Sequence, residues 1–498
     1  MPSIPTITAP SWPTKPRRAA ELARVAGLVL AVLVLEVVLA HSVSGPQIGK
    51  IVFLFVGVLF VALVFRFPLA TALLVLCLTD FVFYPTYFAH QVGPVSVRPH
   101  ELALACLLVV AYAKPKRRTW GGRTGTALLA FYAMLGVSSV LAWKGGSTSL
   151  SDVFNFSRPL FQLAIFWVIV RLFPGVAERR TLLLGVAVVA ALTGVVAVLT
   201  SLGAGFGDAL QAAGGQTIKA ENGAEGIDRV RLPGLSAGYA LFWYVVMQLV
   251  SRRRGNRLVW WLILGGISID ILVSFNRNMW LGVVIGFVLM LIIGGVHVRN
   301  RLSAAIAVLV TAIALFVAFG STSSSESVVT PIVKRGETLF NPAKTSQESS
   351  LQARFKETEE AWKTAQHHLL VGVGPGVSFG VLDQELVQSG GLVTGLRRPP
   401  QLFLHNQYLY LILIAGVPGL IAFVWFLVSA LVVAFKRRPR DPAIGACGIG
   451  IALVMLSAVV AIYFTVEDMT AVLGLLAGVI IADHEGEASD GESSGLLA

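Results

Sequence analysis

The chain has 498 residues, of which 55% are hydrophobic and 13% charged, and its mean hydropathy is +0.77. Apolar runs of bilayer length, such as 25–40 and 182–199, exclude a water-soluble globular domain, because soluble proteins interrupt such runs with polar residues every few positions. The net charge of +12 does not indicate nucleic-acid binding, since the basic residues cluster in alternate connections between the runs, as the positive-inside rule describes.

The apolar runs predict an all-α fold, a polytopic transmembrane helical bundle of about 12–14 helices. A helix satisfies its own backbone hydrogen bonds in lipid, so it is the expected form of each run. The predicted spans are 22–40, 48–65, 67–84, 99–113, 126–143, 159–173, 182–202, 232–250, 258–275, 279–295, 302–320, 406–434, 443–464 and 468–482.

Charge and composition divide the chain into five regions. Basic clusters such as KPKRR at 114–118 place both termini in the cytoplasm and the longest connection outside it. The predicted regions are a disordered cytoplasmic arm at 1–21, an N-terminal transmembrane bundle at 22–320, a long extracytoplasmic loop with short amphipathic helices at 321–405, C-terminal transmembrane helices at 406–482 and an acidic disordered cytoplasmic tail at 483–498.

Ionisable residues in or beside the spans gather toward the outer face in this topology. Charges at membrane depth are costly and usually face a bundle interior or a wet cavity, so the arrangement predicts a polar region on the outer side. The three cysteines show no metal-ligand spacing, and neither a metal nor another cofactor is predicted. The outer-face residues are Glu36, Asp80, Glu101, Asp152, Arg158, Asp270, Arg277 and Glu467.

Two segments place an arginine at this outer boundary. In SFNRNMWLG, Arg277 occupies a very short connection between two spans, and Trp280 follows it as an interface residue. In SSLQARFKETEEAWKTA, apolar residues spaced by three and four predict an amphipathic helix with Arg354 at the edge of its stripe. The alternatives are a snorkelling anchor for Arg277 and an ordinary surface pair between Arg354 and Glu357.

The next segment, LHNQYLYLILIAGVPGLIAF, places His405 and Asn406 where a span begins. An imidazole at this boundary is suited to accept a proton near neutral pH, although an isolated histidine there is more often simply hydrogen-bonded. Arg231 in VRLPG and Arg158 in FNFSRPL have similar positions before other spans. Several arginines beside a histidine at headgroup depth suit a lipid phosphate or diphosphate, because the guanidinium fork matches phosphate oxygens.

The segments RNMWLG, the R-x7-W spacing from Arg354 to Trp362 before GVGPG, and HNQYLYLILIAGVPGL resemble, in this order, the O-antigen ligase and polymerase superfamily of bacterial envelope enzymes. The resemblance covers roughly 231–427. It implies an inverting, metal-independent glycosyltransferase in the cytoplasmic membrane, acting on a glycan carried by a polyprenyl diphosphate.

On this resemblance, Arg277 and Arg354 bind the diphosphate and His405 is the general base. Arg231, Arg158, Asn406 and Trp280 are candidate substrate-binding residues. The acceptor is a lipid, another glycan or a protein, membrane lipids surround the enzyme, and the oligomeric state is not predicted. A polymerase of the same superfamily, or a transporter of lipid-linked glycans, is the alternative; a transporter more often shows internal repeats and broken helices at the midplane.

Overall fold

The computed structural model describes residues 62–80, 90–92, 95–116, 119–201, 216–218, 229–231, 234–251, 257–274, 276–296, 298–303, 349–379, 404–438 and 441–495. In chain order the elements are α1 (Pro68–Asp80), β1 (His90–Val92), β2 (Val95–Val97), α2 (Pro99–Ala113), α3 (Gly122–Lys144), α4 (Leu150–Phe161), a 3-10 turn (Gln162–Ala164), α5 (Ile165–Leu172), α6 (Val176–Ser201), β3 (Gln216–Ile218), β4 (Arg229–Arg231), α7 (Leu235–Ser251), α8 (Arg257–Val273), α9 (Arg277–Ile293), α10 (Ser349–Ala365), α11 (Gln407–Arg437), α12 (Pro442–Ser457) and α13 (Glu467–Gly495).

The predicted all-α class is confirmed. Each predicted span that falls on described residues coincides with a helix, whereas spans 22–40, nearly all of 48–65 and most of 302–320 lie outside them. Four stretches are long and apolar enough to cross a bilayer, and shorter apolar helices accompany them in the described chain. The four are Gly122–Lys144, Leu150–Leu172, Val176–Ala197 and Gln407–Arg437.

Three features differ from the sequence expectation. The helix in the span predicted at 443–464 ends at Ser457, and α13 continues to Gly495, although the tail is predicted to begin at residue 483. Extending an existing helix avoids the cost of nucleation, and Glu and Ala favour the helix, so an acidic segment can continue it. Two antiparallel hairpins, β1–β2 and β3–β4, have three-residue strands that are too short to give an alternating pattern.

Helices α7 and α12 and residues 468–482 of α13 are largely buried within the bundle. Trp243 and Tyr244 of α7 are at most 2% exposed, and Gly450 of α12 lies so close to α7 that a Cβ would come 2.2 Å from the Ala240 carbonyl oxygen. Small residues allow such close helix contacts in membranes. The surrounding helices expose large apolar side chains, as at Leu262 of α8, which is the expected form of a surface facing lipid.

Polar contacts join the helix ends into two groups at opposite ends of the bundle. At one end, which we call the His405 end, Arg98 before α2 pairs with Glu467 at 2.7 Å, and the Gln407 amide donates to the Ala458 carbonyl at 3.0 Å. At the other end, Arg179 of α6 pairs with Asp483 of α13 at 2.7 Å. Helices that begin at the His405 end therefore finish at the Asp483 end, as a multi-pass bundle requires.

Candidate active site

The centre of the candidate site is a contact between His405 and Glu357 of α10. The His405 Nδ1 atom lies 2.8 Å from Glu357 Oε2, and the His405 backbone N–H donates to Oε1 at 3.3 Å. The Glu357 side chain is 3% exposed and that of His405 is 28% exposed. One buried carboxylate therefore holds both the ring and the backbone of a partly open histidine.

Arg354 lies one turn before Glu357 on the same helix. Its Nη1 donates to the Val460 carbonyl at 3.1 Å, in the connection between α12 and α13. Helix α10 consequently brings Arg354 and His405, two of the predicted catalytic residues, to the same end of the bundle. The sequence pattern indicates Glu357 only as a surface partner of Arg354, whereas its carboxylate contacts His405.

The start of α11 fixes the backbone on either side of His405. Asn406 is the N-cap residue, and its side chain accepts a hydrogen bond from the Leu409 amide at 3.2 Å. Leu404 is fully buried, and the next residue after the cap, Gln407, bonds to Ala458. Asn406, predicted as a substrate-binding residue, thus has a capping contact that explains why an asparagine follows the histidine.

The glycine-rich segment 372–376 packs against a break in α11. Gly416 has a φ of 73° inside that helix, and Pro418 follows it. The Leu413 carbonyl accepts from the Val373 amide at 2.6 Å, and the Val417 amide donates to the Leu369 carbonyl at 2.7 Å. The segment thus bonds to backbone groups beside the break, and it anchors the end of α10 to α11.

The connection between α8 and α9 is short and capped. Asn276 caps α9 by accepting from the Asn278 amide at 3.2 Å, and the Trp280 indole donates to the Ile271 carbonyl at 3.0 Å. Arg277, the first residue of α9, is half-buried. The Trp280 contact therefore fixes the start of α9 against the end of α8, and Arg277 lies at this start.

A second group of charges, the α2–α13 charge cluster, consists of Arg98, His100, Glu101, Arg158 and Glu467. Arg158 of α4 is 6% exposed, its Nε lies 2.6 Å from Glu101 Oε1, and its guanidinium lies 5.3 Å from the Phe154 ring centroid. His100 Nε2 lies 3.4 Å from a Glu467 oxygen. Three of the ionisable residues predicted at the outer face thus belong to one buried cluster, which places Arg158 in an ion pair.

Two further predicted residues lie near the same end. Arg231 is the last residue of β4, opposite Gln216 of β3, and the Gly234 amide donates to Asp468 of α13 at 3.1 Å. Asp270 is 1% exposed on α8, one turn before the helix ends. The segment that carries Arg231 is therefore tied to the first turn of α13, beside the charge cluster.

Sequence reasoning missed Glu357, Val460 and the partners within the charge cluster. For Glu357 the signal in the sequence was its spacing of four and eight residues from Ala361 and Ala365, which puts it on their helix face; the structure shows that this face is buried. For the charge cluster, Arg98 and Glu467 are 369 residues apart, and periodicity does not show such contacts.

Comparison with known proteins supports one family. Residues 260–424 match the family model described as O-antigen ligase, a segment that contains Arg277, Trp280, Arg354, His405 and Asn406. No curated protein matches the chain. The match covers about a third of the chain and supports the resemblance of this segment to the O-antigen ligase superfamily.

Proposed function

We propose that the protein is a membrane glycosyltransferase of the O-antigen ligase type. It transfers a glycan from a polyprenyl-diphosphate carrier to an acceptor hydroxyl at the outer face of the bacterial cytoplasmic membrane. The observation that carries the proposal is the placement, within the matched domain, of His405 on the buried Glu357 carboxylate one turn from Arg354. An activated donor outside the cytoplasm has to be borne by a lipid, since nucleotide sugars and ATP are absent there.

In the proposed reaction His405 is the general base. Its ring accepts the proton of the acceptor hydroxyl while the hydroxyl oxygen attacks the anomeric carbon of the donor. The bond between that carbon and the diphosphate oxygen breaks, and its electron pair leaves with the polyprenyl diphosphate. One displacement inverts the anomeric configuration, and the imidazolium later loses its proton to water.

The diphosphate needs charge stabilisation as it leaves. Arg277 and Arg354 are proposed to bind its oxygens, because fixed guanidinium groups can stabilise developing charge without a metal ion. Arg231 is a further candidate for a contact with the donor. The ion pair of Arg158 with Glu101 favours a structural role for this arginine.

The topology proposed for the molecule follows from the basic clusters. The connections on the Asp483 side, such as 114–118 and 436–440, are rich in Lys and Arg and are assigned to the cytoplasm together with both termini. The loop 321–405 and the His405 end are then outside. A polyprenyl diphosphate whose glycan faces outward would meet Arg277, Arg354 and His405 at headgroup depth.

The class of activity is tested with purified protein in detergent, where no membrane separates two compartments. We expect transfer of glycan from a polyprenyl-diphosphate donor to an added acceptor, unaffected by EDTA, because the proposed chemistry uses no metal. A ladder of products would identify a polymerase and a single larger product a ligase. If the protein moves the donor across liposome membranes but gives no transfer product in detergent or in liposomes, it is a transporter and the proposal is wrong. Reversible inhibition of transfer by EDTA would contradict the metal-free mechanism.

A further inference from the structure

Glu357 differs from the other acidic residues of α10 in its burial. Its side chain is 3% exposed, whereas Glu359 and Glu360 are 68% and 52% exposed and pair with Lys363. The face that Glu357 shares with Ala361 and Ala365 is packed against the bundle. A carboxylate is costly on such a face unless hydrogen bonds compensate for the lost water, and here His405 provides two of them.

The chemistry of the contact determines the form of the imidazole. An ionised carboxylate only accepts hydrogen bonds, so the proton between Glu357 Oε2 and His405 belongs to Nδ1. In the neutral ring Nε2 then carries a lone pair. The second bond, from the His405 backbone N–H to Oε1, fixes the carboxylate relative to the residue whose ring it orients.

From this geometry we infer that Glu357 is a positioning residue for His405, holding the imidazole in the tautomer in which Nε2 accepts a proton from the acceptor hydroxyl. The inference rests on the proposed function of His405 as the general base. During transfer the proton moves from the hydroxyl to Nε2, the ring becomes an imidazolium, and the carboxylate stabilises that charge without taking the proton itself.

The alternative is that Glu357 serves only to attach α10 to the start of α11. Other contacts already hold this helix. Its C-terminal end is followed by the 369–376 segment bonded to α11, Thr364 Oγ1 donates to the Phe379 carbonyl at 3.0 Å, and Arg354 bonds to Val460. Because these anchors do not involve Glu357, its loss should affect the state of the ring more than the position of the helix.

The experiment compares Glu357→Gln, Glu357→Asp and, as matched control, Glu360→Gln, in full-length protein in detergent. Transfer gives kcat and KM for the donor, and ¹⁵N NMR of histidine, assigned by subtraction of His405→Ala, reports which ring nitrogen carries the proton. We expect Glu357→Gln to lower kcat by about 10²–10⁴-fold with little change in KM, because an amide can also donate to Nδ1 and so permits the wrong tautomer. Glu357→Asp should keep the Nδ1 proton and part of the activity, and the control should match wild type.

Each outcome decides between the roles. The positioning role is wrong if Glu357→Gln has the kcat of the wild type. It is also wrong if kcat falls while the ¹⁵N signals of the His405 ring stay unchanged. If Glu357→Gln does not fold, Glu357→Asp is used instead. Complete loss of transfer in Glu357→Asp with the Nδ1 proton retained would contradict the positioning role. Full transfer by His405→Ala instead contradicts the proposed function, whereas an inactive His405→Ala with a fully active Glu357→Gln contradicts only the positioning role.

Discussion

Arg354 and Arg277, which are proposed to bind the donor, lie in positions that contacts with the rest of the protein hold in place. Arg354 is held by the Val460 carbonyl, and Arg277 begins a helix that Trp280 ties across its hairpin. A guanidinium offers five N–H donors in a rigid plane, a geometry that matches the oxygens of a phosphate group. An ammonium at the same position carries the charge without this fork.

Replacing these arginines should therefore separate charge from geometry. We expect Arg354→Ala and Arg277→Ala to lower kcat/KM for the donor by about 10²–10³-fold, the usual cost of losing one group that stabilises developing charge. The Lys variants should recover only a small part of this loss. Lys363→Ala, a change at an exposed residue of α10, is the control, and Lys variants as active as wild type would rule out bidentate binding.

Arg158 and Glu101 form a buried ion pair, so we expect replacement of Arg158 to affect stability instead of use of the donor. Removing one partner of such a pair leaves an unpaired charge and typically costs about 3–5 kcal/mol, whereas replacing both with apolar residues is often tolerated. Arg158→Met should thus lower the Tm in detergent strongly, and the double variant with Glu101→Met should restore it together with transfer activity. A double variant that is stable but inactive would assign substrate binding to Arg158.

At the scale of elements, the broken helix α11 and the segment 369–376 depend on each other. Gly416 has a positive φ, and a Cβ on it would lie 2.4 Å from the Leu370 carbonyl oxygen; a Cβ on Gly372 would lie 2.4 Å from the Leu413 oxygen. The glycines of GVGPG and AGVPG are therefore needed for backbone conformation and close approach, and the segment 404–418 serves to place His405.

Gly416→Ala should consequently weaken both the fold and the site. The strained φ and the backbone clash predict a loss of about 1–3 kcal/mol or more in the free energy of unfolding, together with reduced transfer, because the end of α10 is displaced from α11. Gly265→Ala in α8 is the matched control: a Cβ there meets nothing within 4 Å, so this variant should be as stable as wild type or slightly more stable. Equal Tm values for the two variants would contradict the proposed packing.

The amphipathic pattern of α10 predicted a helix correctly but not the face that packs. Phe355 and Trp362 of the predicted apolar stripe are 68% and 48% exposed, whereas Ala365 of the same stripe is buried together with Ala361, which lies outside it. In a membrane protein an apolar stripe suits lipid as well as it suits protein, so periodicity does not distinguish the two.

At the scale of the whole molecule, the charge distribution predicts orientation. The His405 end carries the α2–α13 charge cluster, and the opposite end carries contacts such as Lys116 with Glu178 and Arg179 with Asp483. Basic residues accumulate on the cytoplasmic side, so the Asp483 end is assigned there.

This orientation is tested by labelling single cysteines in a variant without the three native ones. With an impermeant maleimide applied to spheroplasts, we expect labelling of Lys363→Cys on α10 and none of Lys436→Cys at the end of α11. Permeabilised membranes should label both. The reverse pattern in intact spheroplasts would invert the topology and move the site into the cytoplasm.

Much of this architecture was predictable because bilayer-length apolar runs and alternating basic clusters are local signals. The helices α3, α6 and α11 follow from them directly, and the ordered motifs with Arg277, Arg354 and His405 indicated the family. What joins the elements was not predictable: Glu357 lies 48 residues before His405, and in the charge cluster Arg98 lies 369 residues before its partner Glu467. Such contacts depend on how helices pack, which periodicity does not specify.

His405 is proposed to act as the base in transfer of a glycan from a lipid diphosphate. The most direct measurement follows polyprenyl diphosphate released and glycan transferred in the same reaction, with equal amounts of folded wild type and His405→Ala. We expect one diphosphate released per glycosidic bond formed by the wild type, and a reduction of both by at least about 10²-fold in the variant. Near-normal transfer by His405→Ala would contradict the role of His405 as the base. No release of the diphosphate by the wild type would contradict the proposed reaction.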